Sequence, residues 1–242
     1  MQLLQQQGEV SVESLVQHFN TSEVTIRKDL TALESNGLLL RRYGGAVLMP
    51  SEILSDDSHD EPFSQNKLAI AQAAADRIRD HNRIIIDSGS TTAALLKQLN
   101  PKQGLVVMTN SLTVATQLTE LENEPTLLMT GGTWDVRSES FQGQVAEQAL
   151  RSYDFDQLFI GADGIDLARG TTTFNELVGL SRVMAETARE VVVMVESQKI
   201  GRKMPNLELS WDQIDVLVTD RQISKEMLQK IEAQQVEVVL TD

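Results

Sequence analysis

The chain contains no cysteine among its 242 residues. That excludes a disulfide framework, a cysteine-ligated zinc finger and thiol catalysis. Histidine is nearly as scarce. The three residues present, His18, His59 and His81, stand far apart and match no metal-ligand spacing. Each reads as an ordinary surface or helix-edge residue, so no metal and no cofactor is expected. There is no apolar run of about 18 residues and no signal peptide, which leads us to expect a soluble, cytoplasmic chain without membrane contact. No internal repeat is evident. Basic residues are few as well: 21 Lys and Arg stand against 35 Asp and Glu, a formal net charge of −14. A hydrophobic content of 41% is ample for a packed core, and the length allows one large domain or a small one plus a medium one.

What is present begins at residue 11. Ser11 can cap a helix whose apolar residues are Val12, Leu15, Val16 and Phe19. Asn20 and Thr21 break it, and Thr21 is the expected N-cap of a second helix from Ser22 to Asn36. Gly37 then serves as a C-terminal stop. The run LLLRRYGGAVLM, Leu38 to Met49, predicts two short strands about a Gly44-Gly45 turn, with Arg41, Arg42 and Tyr43 beside the tip. Two helices followed by a small wing is the layout of a winged helix-turn-helix.

The second helix shows how such a unit would work. Ile26, Leu30 and Leu33 recur at i, i+4 and i+7, so they share one face and pack on the first helix. Val24, Lys28 and Thr31 point the opposite way, flanked by Ser22, Thr25 and Arg27. That face offers hydroxyl, cation and methyl groups, which can bind phosphates, guanine edges and thymine methyls in a major groove. A solvated amphipathic hairpin would show similar charges; the two arginines of the wing favour DNA.

SEVTIRKDLTALESNG (Ser22 to Gly37) followed by RRYGGAV (Arg41 to Val47) resembles the DeoR family of bacterial transcriptional repressors. The resemblance spans nearly the whole chain. In the second half, FQGQVAEQAL, FIGADGIDLARGTTTFNE and SQKIGRKMPN resemble especially the branch that controls glucitol (sorbitol) operons. It implies a repressor of a sugar or sugar-alcohol operon, binding double-stranded operator DNA as a dimer or tetramer and released by a phosphorylated effector such as glucitol 6-phosphate. Against the family pattern, the chain begins inside the first helix, at MQLLQQQG. A chain lacking about ten residues there is expected to bind operator more weakly, since so short a helix remnant is marginal. An extended chain that binds no more tightly would refute this.

The acidity is unevenly placed. Residues 1–50 hold four basic and five acidic residues; the remainder holds 17 basic and 30 acidic. An acidic second half should repel phosphates and disfavour non-specific binding.

We read residues 1–48 as the winged helix-turn-helix domain, 49–62 as a polar, acidic linker bounded by prolines, and 63–242 as an effector-binding and oligomerisation domain. A helix is expected over Ser64 to His81. Short apolar strands then alternate with helices: RIIID, GLVVMTN, TLLMTGG, DQLFIGADG, REVVVMVES and IDVLVTD, with helices at TTAALLKQL, SLTVATQLTEL and near 142–152, 175–188 and 224–234. That rhythm predicts an α/β fold with a mostly parallel sheet covered on both faces.

In such sheets the ligand site lies beyond the carboxyl ends of the strands. Polar loops stand at those points. Asp87, Gly89, Ser90, Thr91 and Thr92 follow the first strand, and Asn110 and Ser111 the second. Gly131 and Gly132 follow the third, and Asp163, Thr172, Thr173, Asn175 and Glu176 the fourth. Lys199 and Arg202 follow the fifth. Any one loop is as well explained by a cap or a turn. Together they suit a polyhydroxylated, phosphorylated ligand, with carboxylates on its hydroxyls and the Ser90 loop and Lys199 on its phosphate.

The family's effector domain is similar to ribose-5-phosphate isomerase and CoA-transferase-like folds. The isomerase's phosphate loop resembles Gly89-Ser90-Thr91, and its paired aspartates find only Asp163, the partner position being Ile160. Its glycine-rich lysine segment finds only Arg169-Gly170-Thr171-Thr172. Loss of those groups argues against turnover, so no catalytic residue is expected. Two alternatives stand beside the repressor: an isomerase-like enzyme, and a ligand sensor with impaired DNA binding.

Overall fold

The computed structural model describes residues 1–7, 9–35, 38–42, 44–48, 63–136, 138–175 and 178–241. They divide into two units, Met1–Pro62 and Phe63–Asp242. Gly37, Tyr43, Glu176 and the linker residues 49–62 lie outside the described residues.

The first unit runs α1 (Gln2–Gln7), β1 (Glu9–Ser11), α2 (Val12–Phe19), α3 (Glu23–Ser35), β2 (Leu39–Arg42) and β3 (Gly45–Leu48). Ser11 caps α2: its Oγ accepts from the Ser14 amide at 3.0 Å, and the Ser14 Oγ accepts from the Ser11 amide at 3.2 Å. Asn20, at φ 47°, turns the chain out of the helix. The cap of α3 corrects the sequence reading. It is Ser22 rather than Thr21, its Oγ accepting from the Thr25 amide at 3.2 Å. The Thr21 amide is still bonded back to the Val16 carbonyl, at 3.3 Å, so the chain enters α3 one residue later.

β1 was not legible in the sequence, because three residues show no alternation. It pairs antiparallel with β3, giving a sheet of order β1-β3-β2. Gly45 permits this, since a Cβ there would run into the Val10 carbonyl. The core of the unit is Leu4, Val10, Val12, Leu15, Ile26, Leu30, Leu39 and Ala46. The periodic face read from α3 is the buried one.

The second unit is built on a seven-stranded parallel sheet, in spatial order β15-β14-β12-β9-β4-β5-β6. Its strands are β4 (Arg83–Ile86), β5 (Val106–Thr109), β6 (Thr126–Met129), β9 (Phe155–Ile160), β12 (Ala188–Met194), β14 (Val216–Asp220) and β15 (Glu237–Thr241). Successive side chains enter opposite faces. Ile84, Ile86, Val107, Phe159, Val192 and Val218 join one core, with Ile70, Ala71 and Ala74 from α4 (Gln65–Ala75) and Leu95 and Leu96 from the segment after β4. Ile85, Met108, Leu158, Ile160, Val193 and Leu217 join the other, with Leu150, Val183, Met184 and Ile231 from three later helices. A strand buried on both faces reads as a continuous apolar run, which is why RIII carries three isoleucines in succession.

Several expectations are corrected here. α4 ends at Ala75 rather than reaching His81, and turns carry residues 76–82. TTAALLKQL is helical only over Ser90–Ala93 (α5) and continues as a 3-10 helix over Ala94–Gln98. β15 was missed. So were β7 (Thr133–Asp135), paired with β8 (Ser140–Gln142), and a three-stranded antiparallel sheet of β10 (Gly164–Asp166), β11 (Gly170–Thr173) and β13 (Asn206–Ser210). β7, β8 and β10 have three residues each, and β11 is Gly-Thr-Thr-Thr, which carries no apolar alternation.

Chain order fixes where a site can form. From β4 the chain steps outward through β5 and β6, then returns to β9 on the other side of β4. The carboxyl ends of β4 and β9 therefore flank the topological switch point, the place where sheets of this kind bind ligands.

Candidate nucleic-acid interface and ligand site

On α3 the side opposite the core faces solvent. Val24 is 77% exposed, and Ser22, Thr25, Arg27, Lys28 and Thr31 are exposed with it. Several of these groups hold one another. Arg27 pairs with Glu23 at 2.8 Å. The Ser22 and Thr25 hydroxyls lie 2.9 Å apart. Arg41, on β2, donates from Nη1 to the Thr31 Oγ1 at 2.6 Å, and its amide donates to Glu34 at 3.0 Å. The wing is thus tied to α3 by two of the residues read as DNA contacts. Lys28 makes no hydrogen bond or ion pair among the described residues. Arg42 lies on β2, paired in register with Gly45, and Tyr43 falls outside the described residues.

At the switch point the loops after β4, β5 and β9 meet. The Asp87 amide donates to the Phe159 carbonyl at 3.0 Å, which closes β4 on β9. Asn110, 1% exposed, bridges β4 and β5: its Nδ2 donates to the Asp87 carboxylate at 2.8 Å and its Oδ1 accepts from the Ser88 amide at 3.1 Å. Asp163 accepts from the Thr173 hydroxyl at 2.6 Å, and Thr173 in turn accepts from the Asn175 amide at 3.0 Å. Arg202 donates to the Asp163 carbonyl at 3.4 Å, and Lys199 to the Ala162 carbonyl at 3.2 Å. Sequence positions spread over more than a hundred residues become one polar cluster.

Other residues read as ligand contacts spend their polar groups internally. The Thr92 hydroxyl donates to the Asp87 and Gly89 carbonyls and shapes the loop. Thr91 is buried. Ser111 caps the helix Leu112–Leu118 by accepting from the Val114 amide. Thr172 is fully buried, donates to the Gly164 carbonyl and accepts from the Met204 amide. No hydrogen bond joins Gly131 or Gly132 to the cluster among the described residues. At Gly132 a Cβ would meet the Gln142 carbonyl, so its place is close packing. Glu176 lies outside the described residues. Ile160, where the isomerase pattern has an aspartate, is fully buried in the apolar core.

Two residues of the cluster were missed in the sequence. Glu208, on β13, accepts from the Ser181 hydroxyl at 2.8 Å. Burial pushes its carboxyl up to about 8, and the charges of Asp87 and Asp163 add to the shift. Burial likewise pushes Asp87 up to about 6, against the opposing hydrogen bonds from Ser88 and Asn110 and with the Asp163 charge reinforcing it. Carboxyl groups raised in this way suit hydroxyl-rich ligands: a protonated acid donates and a carboxylate accepts. The second missed residue is Lys67, on the first turn of α4. Its Nζ donates to the Ser90 Oγ at 2.8 Å. Among the described residues no metal-binding group of His, Cys, Asp or Glu forms. No helix there is long and apolar enough to cross a membrane.

A winged helix-turn-helix in one unit and a parallel α/β sheet with a polar cluster at its switch point in the other are the build of a ligand-responsive transcriptional regulator. A family model for the DeoR-like helix-turn-helix domain matches residues 1–52, and one for the DeoR C terminal sensor domain matches residues 63–221. The chain belongs to the DeoR family of transcriptional regulators. It is 38% identical over 245 residues to a putative aga operon transcriptional repressor of Escherichia coli O157:H7, covering 99% of this chain and 91% of that one. To the HTH-type transcriptional regulator GlpR of Haloferax volcanii it is 35% identical, over 95% of this chain and 90% of the relative. To the glycerol-3-phosphate regulon repressor of Escherichia coli K12 it is 33% identical, over 91% and 88%. These relatives are regulators, and so is this chain, rather than an enzyme. Among solved structures, ribose 5-phosphate isomerase A from Methanocaldococcus jannaschii matches 55% of this chain and 53% of that one, with a TM-score of 0.41 and 20% identity.

Proposed function

We propose that the chain represses a sugar or sugar-alcohol operon and is released from its operator by a phosphorylated effector. The single observation that carries the reading is the polar cluster of Asp87, Asn110, Asp163, Thr173 and Glu208 at the switch point of a chain that also carries an exposed α3. On this reading Val24, Thr25, Arg27, Lys28 and Thr31 face the major groove. Ser22 at the helix start and Arg41, Arg42 and Tyr43 of the wing face the backbone or the neighbouring groove. Repression by a two-fold operator asks for a homo-oligomer, a dimer or a tetramer.

The carboxyl groups take the hydroxyls of a polyol, while the loop from Gly89 to Thr92, with Lys199 and Arg202, takes the phosphate. Glucitol 6-phosphate is the first effector to test, on the branch resemblance. A relative that represses a glycerol-3-phosphate regulon agrees with a polyol phosphate in general. By linkage, operator must weaken effector affinity by the factor with which effector weakens operator.

The experiment is fluorescence anisotropy with the DNA upstream of the chain's own operon, at fixed salt, followed by addition of glucitol 6-phosphate. Specific binding released by the phosphate ester and not by free glucitol supports both assignments. Binding without release keeps the repressor and discards this effector. No binding, with the ester still raising the melting temperature, leaves a sensor without operator function.

A further inference from the structure

Among the described residues of the second unit, large apolar side chains stand exposed at five positions, and four of these gather about the β7–β8 hairpin. Trp134 lies on β7 and Val136, 76% exposed, just beyond its end. Leu112 opens the helix Leu112–Leu118, directly after Ser111, which bridges to Ser140 of β8. Val145 stands in the first turn of the helix Gln144–Arg151, which follows β8 after one residue. The fifth, Tyr153, lies apart, its ring under the Arg83 guanidinium at the amino end of β4.

The hairpin is turned inside out. Trp134 and Phe141 stand directly opposite in its register, so they share a face, and their rings meet edge to face with centroids 5.4 Å apart. The residues between them enter the other face. There Ser140 and Gln142 are buried, and the Gln142 amide donates to the Ser140 hydroxyl at 2.7 Å. The Ser138 and Ser140 hydroxyls lie 2.8 Å apart, and Ser138 donates to Asp135 at 2.6 Å. The Phe141 amide donates to the Asn110 carbonyl at 2.8 Å, which fastens the hairpin to the end of β5. A hairpin with one wet side ordinarily buries its aromatic face and solvates its hydroxyls. This one buries the hydroxyls and leaves the tryptophan in water, a cost that a covering surface removes.

We propose that the same face of a second copy of this chain covers it. After residue 50 the chain holds 17 basic and 30 acidic residues, so two copies repel one another over most of that surface. Leu112, Trp134, Val136, Phe141 and Val145 carry no charge, and a two-fold contact joins one patch to itself. An apolar patch is its own complement, with no charge pairs to satisfy. An anionic lipid surface, by contrast, repels an acidic chain. The hydrogen bonds behind the hairpin hold the face in place before contact, which lowers the ordering cost of association. The need for a second copy rests on the repressor reading, since a two-fold operator is met by two winged helices.

The test uses the full chain, its assembly measured by sedimentation equilibrium over a range of concentrations. The wild type should form a dimer or a tetramer. Trp134→Ser and Val136→Asp should each weaken assembly at least about tenfold, or remove one two-fold step. Both side chains are exposed, so the fold should survive, and circular dichroism checks it. Tyr153→Ser, at the exposed aromatic away from the hairpin, should assemble like the wild type. The lack of native cysteine gives a second readout. In Val136→Cys, thiol labelling should slow several-fold as concentration rises through the assembly range. Lys230→Cys, on an exposed helix, should label at a constant rate. A wild type still monomeric at about 100 µM overturns the proposal. So do hairpin variants that assemble as tightly as the wild type, or Val136→Cys labelling that ignores concentration. Slow labelling in a monomer would mean that another segment of the chain covers the face, and overturns the proposal too. Operator titrations separate the two readings. Assembly through this face without operator binding counts against the repressor reading alone. Operator binding with assembly unchanged in the hairpin variants counts against the face alone.

Discussion

The winged helix-turn-helix and the sensor unit place their working groups in opposite surroundings. On α3 the residues proposed to meet DNA stand in solvent, and what holds them is a small apolar core behind the helix. In the sensor unit the working groups are buried or half-buried between strand ends, and each is held by hydrogen bonds from another loop. A surface that meets a polyanion needs exposed cations and a rigid backing. A crevice that selects a small polar molecule needs preset partners and little water. The units differ in what a substitution removes: affinity on the exposed face, stability and ligand response inside the sheet.

Substituting a core residue in each unit is the strongest test of that contrast. Phe159 is fully buried in the central strand β9 and packs with Ile84, Val192 and the α4 alanines. Phe159→Ala should cost about 4 kcal/mol, and Leu30→Ala, in the smaller core behind α3, about 3 kcal/mol. Denaturant unfolding of the full chain, followed by probes in each unit, measures both. A Phe159→Ala loss below about 1 kcal/mol would show that the sheet interior relaxes around the cavity, against the packing described.

The next effect is specific to the sensor unit. Glu208 is pushed up to about 8 from an ordinary 4.5, and Asp87 to about 6 from 3.8. Between those values the folded chain keeps protons that the unfolded chain has released. Stability contributed by these groups is therefore greatest at low pH, falls as pH rises through about 6 and about 8, and levels off above. Glu208→Gln, neutral throughout, should flatten the upper part of that fall. Its melting temperature relative to the wild type should improve more above pH 8 than at pH 5. An unchanged difference between the two conditions would mean that Glu208 is ionised in the folded chain.

On the exposed side the effect is on affinity. Arg27→Ala removes a cation from the centre of the α3 face and should weaken operator binding by about tenfold, with melting temperature and effector affinity unchanged. Arg27 already pairs with Glu23, but that exposed pair contributes little to stability. Anisotropy titration with operator DNA decides it. Full operator affinity in Arg27→Ala would remove this residue from the interface. Ser90→Ala should do the converse, weakening effector and sparing operator in the absence of effector.

Legibility in the sequence followed the same division. The face of α3 could be read because Ile26, Leu30 and Leu33 repeat with the helical period, and a local period needs no knowledge of the rest of the chain. The central parallel strands could be read from runs such as RIII and VVV. Asp87, Asn110 and Asp163 could be found because they follow such strands, and parallel sheets bind at those ends. Glu208 could not, since it lies within NLELS, a strand of a small antiparallel sheet with no apolar signature. Lys67 could not, since on an Ala-rich helix a lysine looks like solvated surface. Both join the polar loops only through contacts made in three dimensions: Lys67 reaches Ser90, and Glu208 senses Asp87 from the far side of the chain.

The smallest expected effect tests whether local capping matters equally in the two units. Ser11 caps α2 through a reciprocal pair with Ser14 and also belongs to β1, where it is in register with Gly45. Ser11→Ala removes the acceptor for the Ser14 amide and should cost about 1 kcal/mol. Ser64→Ala removes the corresponding acceptor for the Lys67 amide, and the donor to Glu196 with it. It should cost more than Ser11→Ala, because Glu196 is buried and then lacks that partner. Paired denaturation curves compare the two, with Ser64→Thr restoring cap and donor together. Equal losses in the two alanine variants would mean that the Ser64–Glu196 bond adds nothing beyond the cap. The contrast between units would then rest on the buried core and the carboxyl cluster alone.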